Sequence, residues 1–229
     1  MEADYERVAE DRYDNYASLS RLFRIEIDKG LLQDLCASPV EEPQGNEDFS
    51  EGYRRVRAWL DGVGEIGIDK AKSQLAIDYN LVFIGYGVDP KGADDEEGAF
   101  NAAYPYETVY TTGRKTLSGG DAEGISSLYR EWGFRPTRYR IAADDHIACE
   151  LEFLQYLVGQ EILAFREGDD EAFERARKAE LDFLEQHPLK WIELFAKNIE
   201  RLSETGFYPA VAQMTKGWLV LDQAYLRRG

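Results

Sequence analysis

Apolar residues recur at every third or fourth position along most of this chain. In YASLSRLFRIEI, Tyr16, Leu19, Leu22, Phe23 and Ile27 fall on one stripe, the spacing of an amphipathic helix. Gly30 breaks the pattern, LLQDLC predicts a further short turn or helix, and SPVEEPQGNED reads as a loop. Asp48, with Glu51 three places on, has the pattern of a helix cap. It opens FSEGYRRVRAWL, whose apolar face is Phe49, Tyr53, Val56, Trp59 and Leu60. After the connector GVGEIG, the stretch IDKAKSQLAIDYNLVFIG predicts a helix with Ala71, Leu75, Tyr79, Val82 and Phe83 inward. Its VFIG end is too short to carry a sheet. Residues 85–105 hold glycines, Pro90 and a cluster of acids; this predicts a long loop, and long loops inside domains are usually functional or mobile.

The second half is more strongly periodic. AEGISSLYREWG places Ile125, Leu128, Tyr129 and Trp132 on one face, and Gly133 is placed to end the helix. FRPTRYRIAADD predicts extended or irregular chain, because Pro136 disfavours helix just before it. DHIACELEFLQYLVGQEILAF then carries Ile147, Leu151, Leu154, Val158, Ile162 and Phe165 on a stripe. DDEAFERARKAELDFLEQH starts with an acidic turn that suits the helix dipole and stops at Pro188. LKWIELFAKNIERLSETG presents Trp191, Leu194, Phe195, Ile199 and Leu202, with Gly206 as its cap, and YPAVAQMTKGWLVLDQAYL closes the chain. No internal repeat appears. The pattern predicts an all-α helical bundle of about eight to ten helices.

Composition narrows the function. A net charge of −17 repels phosphate backbones, and no Lys/Arg stripe offsets it, so nucleic acid is excluded as a partner. The same field favours a basic partner and speeds its encounter. No apolar run reaches the length of a membrane span, and the opening MEADYERVAEDRY lacks the apolar core of a secretory signal; the expectation is a cytoplasmic protein with no stable membrane insertion. Cys36 and Cys149 are far apart and form no zinc-ligand spacing, which predicts two buried thiols and neither a disulfide framework nor a structural metal.

The candidate chemistry concentrates in DDHIACELEF, residues 144–153. GxSxG, a phosphate-binding GxxxxGK[ST] and a helix-opening GxGxxG are all absent. His146 lies three residues before Cys149, but no third group orients a nucleophilic pair. His146 and Glu150 are one turn apart, so both can face one ion with Asp145 joining from the helix start, although such sites need a second ligand-bearing helix. His187, before Pro188, has no evident partner. The plain structural alternative makes Asp145 a helix N-cap and leaves Glu150 and Glu152 on a solvated face. These readings stay open on the residues alone.

DDHIACELEF taken together with YPYETVY resembles the TorD/DmsD family of redox-enzyme maturation chaperones, which includes the nitrate reductase delta-type assembly proteins. The family's Pro-Tyr-x-Ser-Val-Tyr-like segment is matched by Pro105, Tyr106, Glu107, Thr108, Val109 and Tyr110, with Thr108 for the usual Ser. AIDYNLVFIG, HPLKWIELFAKNI and FYPAVAQMTKGWL resemble further segments in the same order, so the resemblance covers nearly the whole chain. It departs at Ala142-Ala143, where the family usually has Glu-Pro, and a looser hinge is expected there.

The resemblance implies a single all-helical domain over 1–229, with lobes of about 1–135 and about 145–229 joined by a hinge at about 136–144. It implies a non-catalytic cytoplasmic chaperone without cofactor or metal. Such a protein binds the twin-arginine leader or N-terminus of the catalytic subunit of a molybdenum-cofactor enzyme until the cofactor is inserted. The implied peptide-binding residues are Asp145, as arginine acceptor, with His146, Glu150, Tyr104, Pro105, Tyr106 and Tyr110. Alternatives are a metal-dependent helical enzyme using Asp145, His146 and Glu150, and an assembly scaffold that ignores the leader. The client reductase and the choice between monomer and dimer are left open.

Overall fold

The computed structural model describes residues 2–38, 42–85, 102–112 and 122–228. The long loop expected over 85–105 therefore lies outside the described residues for 86–101, as does 113–121 of the stretch after YPYETVY. Among the described residues there are eleven α-helical segments, one π-helical turn and no strand, which makes the fold all-α. No described helix is long and apolar enough to cross a membrane.

The described residues cluster into two compact units. The first lies within Met1–Arg24, Tyr106–Trp191 and Leu219–Gly229, and the second within Ile25–Pro105 and Ile192–Trp218. The lobes expected from the sequence run along the chain, whereas these units run across it. The reason is that the first helix, α1 (Glu2–Arg24), packs on α8 (Ile147–Glu167), far away in sequence.

In the first unit α8 also packs on α9 (Asp170–Gln186). The stripe predicted for α8 is buried from Ile147 to Ile162, and Tyr16, Leu19, Leu22 and Phe23 of α1 are buried likewise. Each large apolar side chain so buried contributes about 1.5–3 kcal/mol. Tyr129 of α7 (Ala122–Glu131) joins Phe134, Phe153 and Phe183 in one aromatic cluster. Gly168, in the left-handed region at φ 69°, closes α8, and the Asp169 carboxylate caps α9 by accepting the Ala172 N–H at 3.0 Å. Pro188 begins α10 (Pro188–Leu202), at the position where its missing N–H costs nothing.

Beneath the apolar surface of this unit lies a charged knot. Arg12 donates from Nε to Asp222 at 2.6 Å and from a terminal nitrogen to Glu161 at 2.5 Å, and it also reaches Glu180. Arg177 donates to the other oxygen of Glu161 at 2.8 Å, and the Tyr16 hydroxyl donates to Asp222 at 2.6 Å. All five charged residues are buried. Burial and the neighbouring carboxylates push Glu180 well above the ordinary carboxyl range. A proton held there leaves two carboxylates against two guanidiniums.

The second unit contains α2 (Lys29–Ala37), α3 (Glu47–Asp61), the single turn α4 (Val63–Ile66) and α5 (Ile68–Tyr79), which runs into the π-helical turn Asn80–Ile84. VFIG is thus helical, not extended. The cap of α3 is Asn46, whose side chain accepts the Phe49 N–H at 3.1 Å. Asp48, expected in that role, instead pairs with Lys216 at 3.1 Å and accepts from Gln213 at 3.2 Å. The middle of α11 (Phe207–Leu226) runs very close to α3: a Cβ on Gly52 would collide with the Met214 backbone, and one on Gly217 with the Phe49 backbone.

Asp78, from the AIDYNLVFIG segment, is buried and accepts hydrogen bonds from Ser203 Oγ at 2.7 Å and the Glu204 N–H at 2.8 Å. It thereby clasps the turn between α10 and α11. Gly206, expected to cap α10, instead lies at φ 73° just before α11, because α10 already ends at Leu202. Leu194, expected inside, is 50% exposed. Cys36 is only part-buried, while Cys149 is fully buried.

Candidate functional site

Residues 106–110 of YPYETVY meet DDHIACELEF in the first unit. Tyr106 and His146 form an isolated antiparallel bridge, and the Glu107 N–H donates to the Asp145 carbonyl at 2.9 Å. This leads into α6 (Glu107–Thr111), a short helix whose own N-cap, Tyr106, supplies no side-chain acceptor. Asp145 supplies it from 37 positions away: its Oδ2 accepts the Thr108 N–H at 3.1 Å and the Thr108 hydroxyl at 2.7 Å. A hydroxyl residue at 108 is what this clasp requires, and Thr serves as Ser would.

Asp145 therefore caps α6 and not the helix that follows it. The cap of α8 is His146, whose Nδ1 accepts the Ala148 N–H at 3.0 Å. With Nδ1 accepting, the proton of the neutral ring sits on Nε2. Burial, with Arg24 nearby, holds His146 down at about 3, so the ring is neutral at physiological pH. Tyr106 lies edge-on to this imidazole, with ring centroids 5.0 Å apart, and its hydroxyl accepts the Ala142 N–H at 3.2 Å. That bond ties down the chain at Ala142-Ala143, where the sequence suggested looseness.

Glu150 is buried, contrary to the solvated position that the plain structural alternative gave it. One oxygen accepts the Trp191 indole N–H at 3.2 Å, and the other has no hydrogen-bond partner. Burial first, then the charges of Glu107 and Asp145, push its carboxyl well above the ordinary range. Tyr110 stacks on Trp191, with ring centroids 5.3 Å apart. Glu152 is also occupied, accepting from Arg24 at 2.9 Å and from the Thr137 N–H at 2.9 Å and hydroxyl at 2.7 Å.

A pocket of ≈ 210 Å³ opens beside Asp145. Its walls include the carboxylates of Glu107 and Asp145, the hydroxyls of Thr108, Thr111 and Thr112, and His187 and Lys190. His187 Nδ1 lies 2.9 Å from Glu107 Oε2, so this histidine has the partner that the sequence did not reveal. Among the described residues, His146 and Glu150 do not line the pocket; they stand behind it and hold its wall. Tyr104 is half-buried and Pro105 buried, and both belong to the second unit.

Glu107, His187 and Lys190, which line the pocket, and Trp191, which bonds Glu150, were not among the candidates. The available signal was their place in the quoted motifs, Glu107 inside YPYETVY and the other three inside HPLKWIELFAKNI. The metal alternative does not hold. Among the described residues no three His, Cys, Asp or Glu side chains form a group able to hold an ion, since the His146 lone pair is spent on Ala148 and an Asp145 oxygen on Thr108. Nor is Cys149 a nucleophile, because burial pushes its thiol up to about 12.

Residues 46–197 match the family described as nitrate reductase delta subunit. Over 206 residues, 86% of this chain and 88% of the relative, the sequence is 27% identical to chaperone protein TorD of Photobacterium profundum. It is 24% identical over 219 residues to chaperone protein TorD of Aliivibrio salmonicida, and 26% identical over 226 residues to that of Aliivibrio fischeri, covering 95% of each chain in both cases. With the family match extending over more than half of its length, the chain belongs to the nitrate reductase delta subunit family of TorD/DmsD-type maturation proteins.

Proposed function

We propose that this protein is a maturation chaperone for a molybdenum-cofactor oxidoreductase, binding the twin-arginine leader or N-terminus of the catalytic subunit in the cytoplasm until the cofactor is inserted. The observation that carries this reading is the pocket at Asp145. It is small, and Glu107 and Asp145 line it among threonines, with His187 and Lys190 on the same wall. A guanidinium is planar and weakly hydrated, and it presents its donors in a fixed fork that matches carboxylate geometry, whereas an ammonium is a strongly hydrated point charge. The net charge of −17 draws a basic leader in from a distance. The relatives named TorD chaperones support a role in assembly without catalytic turnover.

The test is calorimetric titration of the whole protein with a synthetic twin-arginine leader peptide, its Lys-Lys counterpart, and the Asp145→Asn variant. Asn keeps an oxygen to cap α6 and removes only the charge. Micromolar or tighter binding that weakens with either change supports the reading. Equal binding of both peptides reduces the contact to general charge attraction. No binding of either leaves an assembly scaffold that ignores the leader.

A further inference from the structure

The pocket at Asp145 is the last of three hollows that follow one face of α9. The first, ≈ 480 Å³, has an apolar floor of Leu163, Ala164 and Ala172 beside Trp132. The second, ≈ 260 Å³, is floored by Leu128, Phe153, Ala179 and Phe183. These two share Trp132, Glu131 and Arg175 as a common wall. The second and the Asp145 pocket share Gln186. The hollows thus form one track within the first unit, not three separate dents.

Resting on the leader-binding reading above, we infer that the segment adjoining the arginine pair lies extended along the outer face of α9, with its apolar side chains in the two hollows beyond the Asp145 pocket. Length agrees. α9 has 17 residues, or about 25 Å at its helical rise, which an extended chain covers with roughly seven or eight residues. The floor agrees as well: Leu163 is 49% exposed at the far end, and the middle hollow reaches the aromatic cluster through Phe153 and Phe183.

The rim of the far hollow selects by charge, whereas at the middle hollow Arg175 and Lys178 balance Glu131 and Asp182. Glu131, Glu167, Asp169 and Glu171 surround the far hollow against the single cation Arg175. That guanidinium already lies over the Trp132 ring at 4.6 Å and near Glu131 at 3.9 Å. Such a rim accepts an apolar segment flanked by Lys or Arg, whose stems lie on the floor while their charges meet the carboxylates, and it disfavours an acidic one. An extended basic and apolar peptide is therefore the occupant, continuous with the arginine pair in the adjoining pocket.

The experiment titrates the whole protein with two synthetic peptides, a twin-arginine leader carrying its apolar segment and a truncation ending just after the arginine pair. Leu163→Arg and Ala179→Arg place a cation and bulk in the far and middle hollows, at positions a helix tolerates. The full leader should bind more tightly than the truncation, and each variant should weaken the full leader by about tenfold while leaving the truncation unchanged. A full leader that binds no tighter than the truncation, or that ignores both variants, overturns the inference while leaving arginine-dependent binding intact. Loss of all arginine dependence overturns the leader-binding reading and takes the inference with it. The peptide comparison within the unaltered protein needs no variant to fold.

Discussion

Glu150 holds the indole N–H of Trp191 on one carboxyl oxygen, at 3.2 Å, and leaves the other oxygen without a partner inside the core. An ionised carboxylate in that position would face the charges of Glu107 and Asp145 with little solvent to screen them. A proton on Glu150 removes the charge and supplies a donor toward Glu107. The arrangement thus favours a neutral acid behind the wall of the Asp145 pocket.

This gives a signed prediction for Glu150→Gln. The folded value of Glu150 is raised, so its contribution to stability is fully present below the ordinary carboxyl value and is lost as pH rises toward the folded one. Glutamine keeps an oxygen for Trp191 and a donor for Glu107, and it does not ionise. Urea unfolding should find variant and parent alike near pH 4, with the variant gaining up to about 1 kcal/mol per pH unit above it. A variant that is less stable than the parent at every pH would show that the ionised form is accommodated.

His146 works in the opposite direction. Its folded value, about 3, lies below the ordinary 6.5, so its contribution is present above the ordinary value and is lost as pH falls from there toward the folded one. Protonation also removes the Nδ1 acceptor that caps α8. His146→Asn keeps a good cap without a titrating ring. Its stability should fall less steeply than the parent's between these two values, by on the order of 1 kcal/mol per pH unit. Denaturant midpoints measured across that range check this, and parallel curves would refute it.

The knot at Arg12 separates charge from packing. Arg12→Leu leaves the buried carboxylates of Glu161 and Asp222 with one guanidinium, Arg177 on Glu161, and only the Tyr16 hydroxyl on Asp222. The expected loss is about 3–5 kcal/mol. Glu180→Gln should cost no more than about 1 kcal/mol, because burial and the neighbouring carboxylates favour the neutral acid and the amide keeps an acceptor for Arg12. Thermal unfolding of the two variants should rank them in that order. Equal losses would mean that Glu180 is ionised.

What the sequence made legible follows from what periodicity carries. The stripes through Tyr16, Leu19 and Phe23 and through Leu151, Leu154 and Val158 are buried as expected, because a spacing of three and four specifies a face. The width of the buried face is not specified, and Leu194 sits on the stripe of α10 yet is half exposed. Local chemistry placed a cap near the start of α3 but took Asp48 over Asn46, since both residue types cap well and they lie two positions apart. Long-range polar pairing was not legible at all: Arg12 meets Asp222 across 210 positions and Glu107 meets His187 across 80. The motifs singled out Asp145 and His146, but only the fold shows that Asp145 caps α6 and that His146 caps α8.

Lys190 supplies the last prediction. It is exposed and lines the Asp145 pocket together with Glu107 and His187, so under the proposed leader binding its ammonium would compete with an incoming guanidinium for the same carboxylates. Lys190→Gln removes that competition without touching the clasp between Asp145 and Thr108. Affinity for a twin-arginine leader should rise by about two- to fivefold at low salt, and the gain should shrink as salt screens the pocket. Calorimetry at two ionic strengths measures both effects. A gain that persists undiminished at high salt would point to a steric cause, and weaker binding would mean that Lys190 itself holds the peptide, through a backbone carbonyl or an acidic side chain. The sign of this one substitution therefore reports whether the pocket recognises its ligand as a cation.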